Sequence, residues 1–320
     1  MVTAVIGAGL AGLTVARELA AAGQSVRVFE RNRGFGGRLA TRRTETAAFD
    51  HGAQYFTVRS DAFRDTVAGW REAGLVLPWN ARFVEIGAEG ICPARDVVRY
   101  VAVPSMSCLG HTLAEGLHVM TQSRVVALMP TGDSWRITLE NGETYPASSL
   151  VLAVPAPQAV TLLNSVHRFA TLLGKVQYAP CWSVMLEAEE GLDSGWDAAF
   201  VCDGNPLSWL ANNHSKPGRN GVPAWVAHAS AAWSEAHRSH AQDWVAQTLM
   251  RAADELLGGT PLTLSSVHRW LYARVTHPMG EPYLWDSTLR LGVCGDGMLG
   301  ARVEAAFLSG RQLAERILQG

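Results

Sequence analysis

The stretch at residues 2–12 most constrains the fold, because it joins a short apolar run to three glycines at fixed spacing. The apolar residues predict a buried strand, and residues 10–22 predict a helix. Gly7 would permit a sharp turn, Gly9 a close approach of a ligand to the backbone, and Gly12 close packing of the helix on the strand. The N-terminus of that helix offers free N–H groups and a positive dipole end, which favour a phosphate group.

An acidic residue follows at the place this motif requires. The run Ser25–Phe29 predicts the second strand, and Glu30 comes directly after it. A carboxylate there accepts hydrogen bonds from the adenosine ribose and disfavours a 2′-phosphate. We therefore expect an adenine dinucleotide without that phosphate, contacted by Ala8, Leu10 and Ala11 as well as by the three glycines.

Bulk composition excludes several classes of protein. The chain has 320 residues, of which 48% are hydrophobic, enough for a large core and for two domains. A net charge of −2 argues against nucleic acid or an anionic membrane as a partner. No apolar run approaches the roughly 20 residues of a membrane span, and a leader ahead of the glycine motif is not expected. The 5 cysteines lack close pairs and metal-ligand spacing, so we expect a cytoplasmic protein without a metal.

A second glycine run begins directly after Glu30. It reads RNRGFGGR from Arg31 to Arg38 and includes Gly37. A simple NAD domain has no need for it, and it resembles the loop that folds over the pyrophosphate in FAD-binding members of the glutathione-reductase superfamily. The resemblance implies FAD, with Arg31, Gly37 and Arg38 in contact and the Arg38 guanidinium on a phosphate or the ribityl chain.

Two further stretches predict contacts to a flat ring and to the adenine. Gly52 and Ala53, at the end of a strand, let a ring system approach the backbone, and Gln54 and Tyr55 offer polar groups beside it. The uniformly apolar residues 150–154 predict a central parallel strand that brings Ala153 to the turn, and Val125 is expected near the adenine edge.

The C-terminal part of the chain is predicted to have the same arrangement as the N-terminal part, in which a strand is followed by a helix whose N-terminus faces the ligand. Residues 291–297 predict a strand with Asp296 at its tip, where the carboxylate can accept from a ribityl hydroxyl. A helix that opens near Val303 points its positive end at the ligand and can stabilise negative charge on a reduced flavin.

These elements predict an α/β protein with two domains. A Rossmann-type FAD-binding domain, glutathione-reductase- and amine-oxidase-like, is expected to be discontinuous, and an α+β substrate domain is expected to be built on a mixed or antiparallel sheet. The predicted FAD-binding domain comprises residues 1–58, 105–158 and 288–320, and the predicted substrate domain comprises residues 59–104 and 159–287.

Taken together, the motifs resemble the FAD-dependent amine-oxidase superfamily, and within it the bacterial renalases. The distinctive runs are GAQYFT from Gly52, WLANNHSKPG from Trp209 and HRWLYAR from His268. The resemblance implies non-covalent FAD and a monomer or weak dimer. It implies that 2- or 6-dihydroNAD(P) passes a hydride to flavin N5 to give NAD(P)⁺, with electrons going to O₂ to give H₂O₂. His268 and Asn213 would face the substrate, and Gln54 and Tyr55 would flank the flavin.

Two other functions stay open from the sequence. A flavin amine oxidase acting on small amines or polyamines would need an aromatic cage and, in many members, a lysine near N5; Lys216 lies in a Pro-Gly turn and is expected to be solvated, and Lys175 is the other candidate. A flavin-binding sensor or scaffold is the non-enzymatic alternative. Where the renalase pattern leads us to expect a basic residue beside Asn213, this chain has Asn212 and His214, which leaves open how substrate phosphates are held.

Overall fold

The computed structural model describes residues 2–164, 166–188, 192–202, 204–259 and 261–320. Its helices are α1 Leu10–Ala21, α2 Asp61–Glu72, α3 Met106–Ala114, α4 Ala156–Leu163, α5 Phe169–Leu173, α6 Ala231–Ala236, α7 Gln242–Leu256, α8 Asp296–Leu299 and α9 Val303–Leu318. Its strands are β1 Val2–Ile6, β2 Ser25–Phe29, β3 Thr41–Arg43, β4 Ala48–Asp50, β5 Val76–Pro78, β6 Phe83–Gly87, β7 Gly90–Pro93, β8 Tyr100–Ala102, β9 His118–Met120, β10 Val125–Thr131, β11 Ser134–Leu139, β12 Thr144–Ala147, β13 Ser149–Leu152, β14 Gln177–Ala188, β15 Ala198–Val201, β16 Leu207–Asn212, β17 Ala224–Ala229, β18 Leu262–His277, β19 Leu284–Asp286 and β20 Leu291–Val293.

A six-stranded sheet carries the glycine motif. Its order is β19-β20-β13-β1-β2-β9, with β1, β2, β9, β13 and β20 parallel and β19 antiparallel at one edge. Helices α1 and α9 pack so closely that a Cβ on Gly310 would lie 2.4 Å from the carbonyl oxygen of Ala11. The two ends of the chain therefore form one parallel nucleotide-binding layer, and the predicted Rossmann-type fold is confirmed.

A seven-stranded sheet forms the second layer, in the order β18-β14-β17-β16-β15-β6-β7. The β15–β6 pair is parallel and the other pairs are antiparallel, so the predicted mixed sheet is confirmed. Alternate side chains of β14, such as Trp182 and Val184, pack against Val245 and Leu249 of α7. Since side chains of a strand alternate between faces, the residues between them point to the opposite face of the sheet.

The remaining strands form three smaller sheets, β10-β11-β12, β3-β4 and β5-β8. Strand β19 lies in the nucleotide sheet, although the sequence analysis predicts residues 159–287 as part of the substrate domain. The exact domain boundaries stay a prediction. In the described part of the chain, no helix is both long and apolar enough to cross a bilayer.

Candidate active site

The first glycine turn has the geometry that a dinucleotide needs. Gly7 has φ +104°, and a Cβ there would lie 2.7 Å from the carbonyl oxygen of Ala153. A Cβ on Gly12 would lie 2.0 Å from the carbonyl oxygen of Gly7, so any side chain would separate α1 from the turn. Apart from Gly9 and its two chain neighbours, none of the described residues has an atom within 4 Å of the Gly9 Cβ position. The backbone at Gly9, ahead of Leu10 at the start of α1, is therefore open to a phosphate.

Glu30 is held rigidly beside this turn. Its side chain is buried and accepts hydrogen bonds from Ala8 N (2.9 Å) and from both the backbone N and Nδ2 of Asn32 (2.8 Å each). A carboxylate has about four acceptor positions, so one remains for a ribose hydroxyl. The carbonyl oxygen of Glu30 accepts from Ser123 N, which brings Val125 to the same end of the site.

The second glycine run packs against the first. Gly36 N donates to the carbonyl oxygen of Ala8 at 2.8 Å, and a Cβ on Gly37 would lie 3.3 Å from Gly9 Cα. A Cβ on Gly52 would lie 2.1 Å from the carbonyl oxygen of Arg38. That oxygen also accepts from Ala53 N at 2.8 Å. The three predicted glycine segments therefore meet at one place. Arg31 lies beside them with an exposed side chain.

Arg38 and Asp296 contact each other, an arrangement that the sequence did not predict. Arg38 Nη1 donates to Asp296 Oδ2 at 2.7 Å and Nη2 donates to Oδ1 at 2.5 Å. Nη1 also donates to the carbonyl oxygens of Tyr272 and Ala273 on β18. The sequence assigned each residue separately to the phosphate or ribityl part of the cofactor, and both assignments stay predictions.

The C-terminal segment presents a second open backbone turn. Gly295 has φ +142°, and its N–H donates to Ser309 Oγ at 2.8 Å. Within the described part of the chain, only Gly295 and its two neighbours have atoms within 4 Å of its Cβ position. Val303 is the first residue of α9, as predicted, and is half-buried. Open backbone at Gly9 and Gly295, two helix N-termini and a fixed carboxylate fit an extended dinucleotide with a ribityl chain, and so they fit FAD.

A buried polar network lies behind Gln54. Lys216 Nζ donates to Asp50 Oδ2 (3.2 Å), Gln54 Oε1 (3.2 Å) and Asn213 Oδ1 (3.1 Å), and its side chain is 0% exposed. Arg219 Nη2 donates to the same oxygen of Asp50 at 2.6 Å. We call these five residues the Asp50 network. The expectation of a solvated Lys216 was wrong, because the Pro-Gly turn folds inward and the lysine meets three acceptors. Lys175, by contrast, is exposed.

The charges in the Asp50 network perturb both of its titrating groups. Burial opposes ionisation of Asp50, but Lys216 and Arg219 outweigh it and lower the Asp50 pKa to about 2. Burial lowers the Lys216 pKa to about 8 despite the carboxylate. One carboxylate is shared by two cations, so the network holds an excess positive charge next to the residues predicted to flank the flavin. Such a charge favours an electron-rich ring nearby.

One face of the seven-stranded sheet looks toward these residues. Its β-register aligns His268, Ser183, His228, Trp209 and Phe200 across five neighbouring strands. The Tyr55 ring lies 5.5 Å from Trp209 and 6.3 Å from Phe83 by centroid, and Phe200 lies 4.9 Å from Trp209. We call Tyr55, Phe83, Phe200 and Trp209 the aromatic face. Flat side chains of this kind suit a planar ligand.

Histidines occupy the other end of that row. His51 stacks on Trp270 at 5.1 Å and lies 4.9 Å from His268 by ring centroid. The carbonyl oxygen of His51 accepts from Trp270 Nε1 at 2.9 Å and lies 3.2 Å from His228 Nε2. Burial lowers the pKa to about 3 for His51 and to about 4 for His228 and His268, so all three are neutral at pH 7.

The structure thus brings two of the four predicted catalytic residues, Gln54 and Asn213, into direct contact, and it keeps Tyr55 and His268 apart. Asn213 Nδ2 donates to Gln54 Oε1 at 3.2 Å, and Tyr55 and His268 lie at opposite ends of the ring-lined face. Asn213 is 0% exposed and also accepts from Asp50 N, so its amide orients other residues of the network. Sequence reasoning missed His51 and Arg219, although His51 directly precedes the GAQYFT run and Arg219 directly follows the WLANNHSKPG run.

Comparison with known families agrees with this geometry. Residues 5–69 match the NAD(P)-binding Rossmann-like domain, and residues 83–318 match the flavin containing amine oxidoreductase family. This chain belongs to the flavin containing amine oxidoreductase family. The protein is therefore a flavin-dependent oxidoreductase, and the FAD cofactor predicted from the glycine runs is confirmed.

Solved structures with the same fold cover nearly the whole chain. A candidate protoporphyrinogen oxidase from Exiguobacterium sp. 255-15 has a TM-score of 0.80 at 12% identity, covering 100% of this chain and 99% of its own. Cyclohexylamine oxidase from Brevibacterium oxydans IH-35A has a TM-score of 0.75 at 12% identity, with 99% and 98% covered. A putrescine oxidase bound to putrescine has a TM-score of 0.70 at 14% identity, with 100% of both chains covered. At these identities the likeness shows the fold and not the substrate.

Proposed function

We propose that this protein oxidises dihydronicotinamide dinucleotides that carry their hydride at ring position 2 or 6, and so returns them to NAD(P)⁺. The substrate, O₂ and one proton would give NAD(P)⁺ and H₂O₂. Bound FAD would supply the redox chemistry, since flavin N5 accepts a hydride and the reduced ring passes two electrons to O₂. The protein's own part is then to hold a flat ring parallel to the cofactor at short distance.

The aromatic face is the observation that carries this proposal. The Tyr55 ring lies 5.5 Å from the ring of Trp209 on β16, and Tyr55 directly follows Gln54, a member of the Asp50 network, in the chain. Hydride donation by a dihydropyridine needs orientation and no base, and His51 and His268 are neutral at pH 7. The excess positive charge around Asp50 would stabilise the negative charge that the transfer places on the acceptor.

Amine oxidation is the second candidate, and Lys216 is the observation that favours it. A lysine near the flavin is expected in many amine oxidases, and Lys216 is buried against Gln54 and 5.0 Å from the Trp79 ring centroid. The same positive charge would repel a protonated amine, however, which supports the dihydronicotinamide instead.

An anaerobic titration tests the two candidates directly. The flavin-loaded protein is mixed with 6-dihydroNAD, ordinary NADH, putrescine or cyclohexylamine, and the visible flavin absorption is followed. Stoichiometric bleaching by 6-dihydroNAD, with slow or no bleaching by NADH, supports the proposal. Bleaching by an amine and not by 6-dihydroNAD would assign the protein to amine oxidation.

A further inference from the structure

Arg99 is buried at the edge of the aromatic face. Arg99 as a whole is 6% exposed, and its guanidinium carbon lies 4.0 Å from the ring centroid of Phe83. The same carbon lies 5.5 Å from the rings of Tyr55 and Phe200. Three aromatic rings therefore surround one cation, which holds the guanidinium plane in a fixed place.

The hydrogen bonds of this guanidinium leave donors free. Nη1 donates to the carbonyl oxygen of Val97 (3.1 Å) and Nη2 to that of Arg95 (3.2 Å). Nε is buried and has no hydrogen-bond partner in the described part of the chain. A guanidinium has five N–H donors, and burial of a cation without an anion is costly. These contacts would therefore be completed by an oxyanion that arrives with a ligand.

The position of Arg99 sets the size of that ligand. Phe200 lies two strands from His228 and four strands from His268 along the aligned row. Neighbouring strands are about 4.8 Å apart, so Phe200 is roughly 10 Å from His228 and roughly 19 Å from His268. A single ring or a small amine cannot reach both ends, whereas a ring joined to a ribose and a phosphate is long enough to extend along the face.

We propose that Arg99 binds a phosphate of the nucleotide substrate and so selects anionic dihydronicotinamide nucleotides over uncharged or cationic compounds. This inference rests on the proposed function. It also supplies the basic residue that Asn212 and His214 do not provide beside Asn213. The phosphate would accept the free Nε–H and a second N–H of the guanidinium, while the dihydropyridine lies against the aromatic face nearer His228.

The test compares two reductants that differ only in a phosphate, 6-dihydronicotinamide mononucleotide and 6-dihydronicotinamide riboside. Flavin reduction is followed anaerobically for the wild type, Arg99→Gln, Arg99→Lys and the control Arg95→Gln, whose arginine is exposed in the same loop. In Arg99→Gln the half-saturating concentration of the mononucleotide should rise about 10- to 100-fold, because a charged hydrogen bond contributes about 1.5 to 3 kcal/mol. The half-saturating concentration of the riboside should change less than about 3-fold, and the limiting rates of flavin reduction should stay the same. For the mononucleotide, Arg99→Lys should have a half-saturating concentration between those of the wild type and Arg99→Gln.

A purely structural role for Arg99 would give a different pattern. Equal losses with both reductants, together with a lower melting temperature, would overturn the assignment, as would an unchanged mononucleotide response. A second measurement does not need turnover: nicotinamide mononucleotide and its riboside are titrated against tryptophan fluorescence of the FAD-loaded protein, since Trp209 contacts Tyr55 and Phe200. A phosphate-dependent affinity that Arg99→Gln abolishes supports the assignment even if neither reductant bleaches the flavin, an outcome that would refute only the proposed function. Equal affinity for both compounds in the wild type would refute the assignment of Arg99.

Discussion

Arg38 and Asp296 form a two-point ion pair, with N–O distances of 2.7 and 2.5 Å, although 258 positions separate them in the chain. The Asp296 side chain is only 10% exposed and that of Arg38 is 30% exposed. The pair joins the second glycine run to the start of α8, directly after Gly295. The cofactor site is therefore closed by residues from both ends of the chain.

Breaking this pair should show strong coupling between its two members. We expect Arg38→Gln and Asp296→Asn each to lower the free energy of unfolding. The double variant should lose less stability than the two single variants added together, which corresponds to a coupling energy of about 1 to 3 kcal/mol. Urea unfolding of the four proteins gives this value. The exposed pair of Arg82 with Asp193, at 3.4 Å, is the control and should couple by less than about 1 kcal/mol. Strict additivity at Arg38 and Asp296 would contradict the ion pair.

Glu30 should control retention of FAD more than the stability of the fold. Glu30→Ala removes the acceptor for a ribose hydroxyl, and we expect about 10- to 100-fold weaker FAD binding, because hydrogen bonds to a charged group contribute about 1.5 to 3 kcal/mol. Equilibrium dialysis against FAD measures this directly, with circular dichroism to show that the fold persists. Glu18→Ala, an exposed acid on α1, is the matched control. Full flavin occupancy in Glu30→Ala would be evidence against the ribose contact.

Gly12 should tolerate no side chain, whereas another helical glycine should accept one. A Cβ on Gly12 would lie 2.0 Å from the carbonyl oxygen of Gly7, so Gly12→Ala must displace α1 and should cost about 2 to 4 kcal/mol. Outside the backbone of α2 itself, no described residue has an atom within 4 Å of the Gly69 Cβ position, and Gly69→Ala should add about 0.5 to 1 kcal/mol of stability. Thermal and urea unfolding give both values, and the same sign for both substitutions would rule out this argument.

The nucleotide layer could be predicted from the sequence because its signals are local. Turn, helix and acid follow one another within residues 2–30, and each has a backbone or charge requirement that a few residue types meet. The strand Ser25–Phe29 has the predicted bounds, and the helix predicted over residues 10–22 spans Leu10–Ala21. Such segments need little information about distant parts of the chain.

The substrate side could not be predicted in the same way, because it depends on contacts across long sequence separations. Lys216 was expected in solvent since Pro and Gly indicate a surface turn, but Asp50 lies 166 positions earlier and draws the ammonium inward. Arg99 lies outside every motif that the sequence analysis singles out. Only the fold shows that the rings of Phe83, Tyr55 and Phe200 surround its guanidinium.

Lys216 should make stability rise at alkaline pH. Burial lowers its pKa from 10.5 to about 8 in the folded protein. Between pH 8 and 10.5 the unfolded chain therefore holds a proton that the folded protein has lost, and the free energy of unfolding increases with pH. Between pH 8 and 10.5 the free energy of unfolding of the wild type, measured in urea, should increase by on the order of 2 to 3 kcal/mol relative to that of Lys216→Met. Lys175→Met, at an exposed lysine, is the control and should follow the wild type; a flat difference between wild type and Lys216→Met would show that the folded pKa is not lowered.

The histidines should make the protein sensitive to mild acid. Burial, with further contributions from His268, Arg42 and His228, lowers the His51 pKa from 6.5 to about 3, so the folded protein keeps this imidazole neutral while the unfolded chain binds a proton below pH 6.5. The free energy of unfolding should therefore fall as the pH is lowered from 6.5 to 4, a range above that in which Asp50 titrates.

His51→Gln removes one of these titrating groups and should flatten that pH dependence. One proton contributes a slope of about 1.4 kcal/mol per pH unit, so the variant's slope between pH 6 and 4 should be smaller by about that amount. Urea unfolding at several pH values measures both slopes, and His240→Gln, at an exposed histidine, is the matched control and should keep the wild-type slope. An unchanged slope in His51→Gln would mean that His51 takes up its proton in the folded protein. The ring stack with Trp270 would then have to accommodate an imidazolium, and His51 could no longer be treated as a neutral group beside the predicted flavin site.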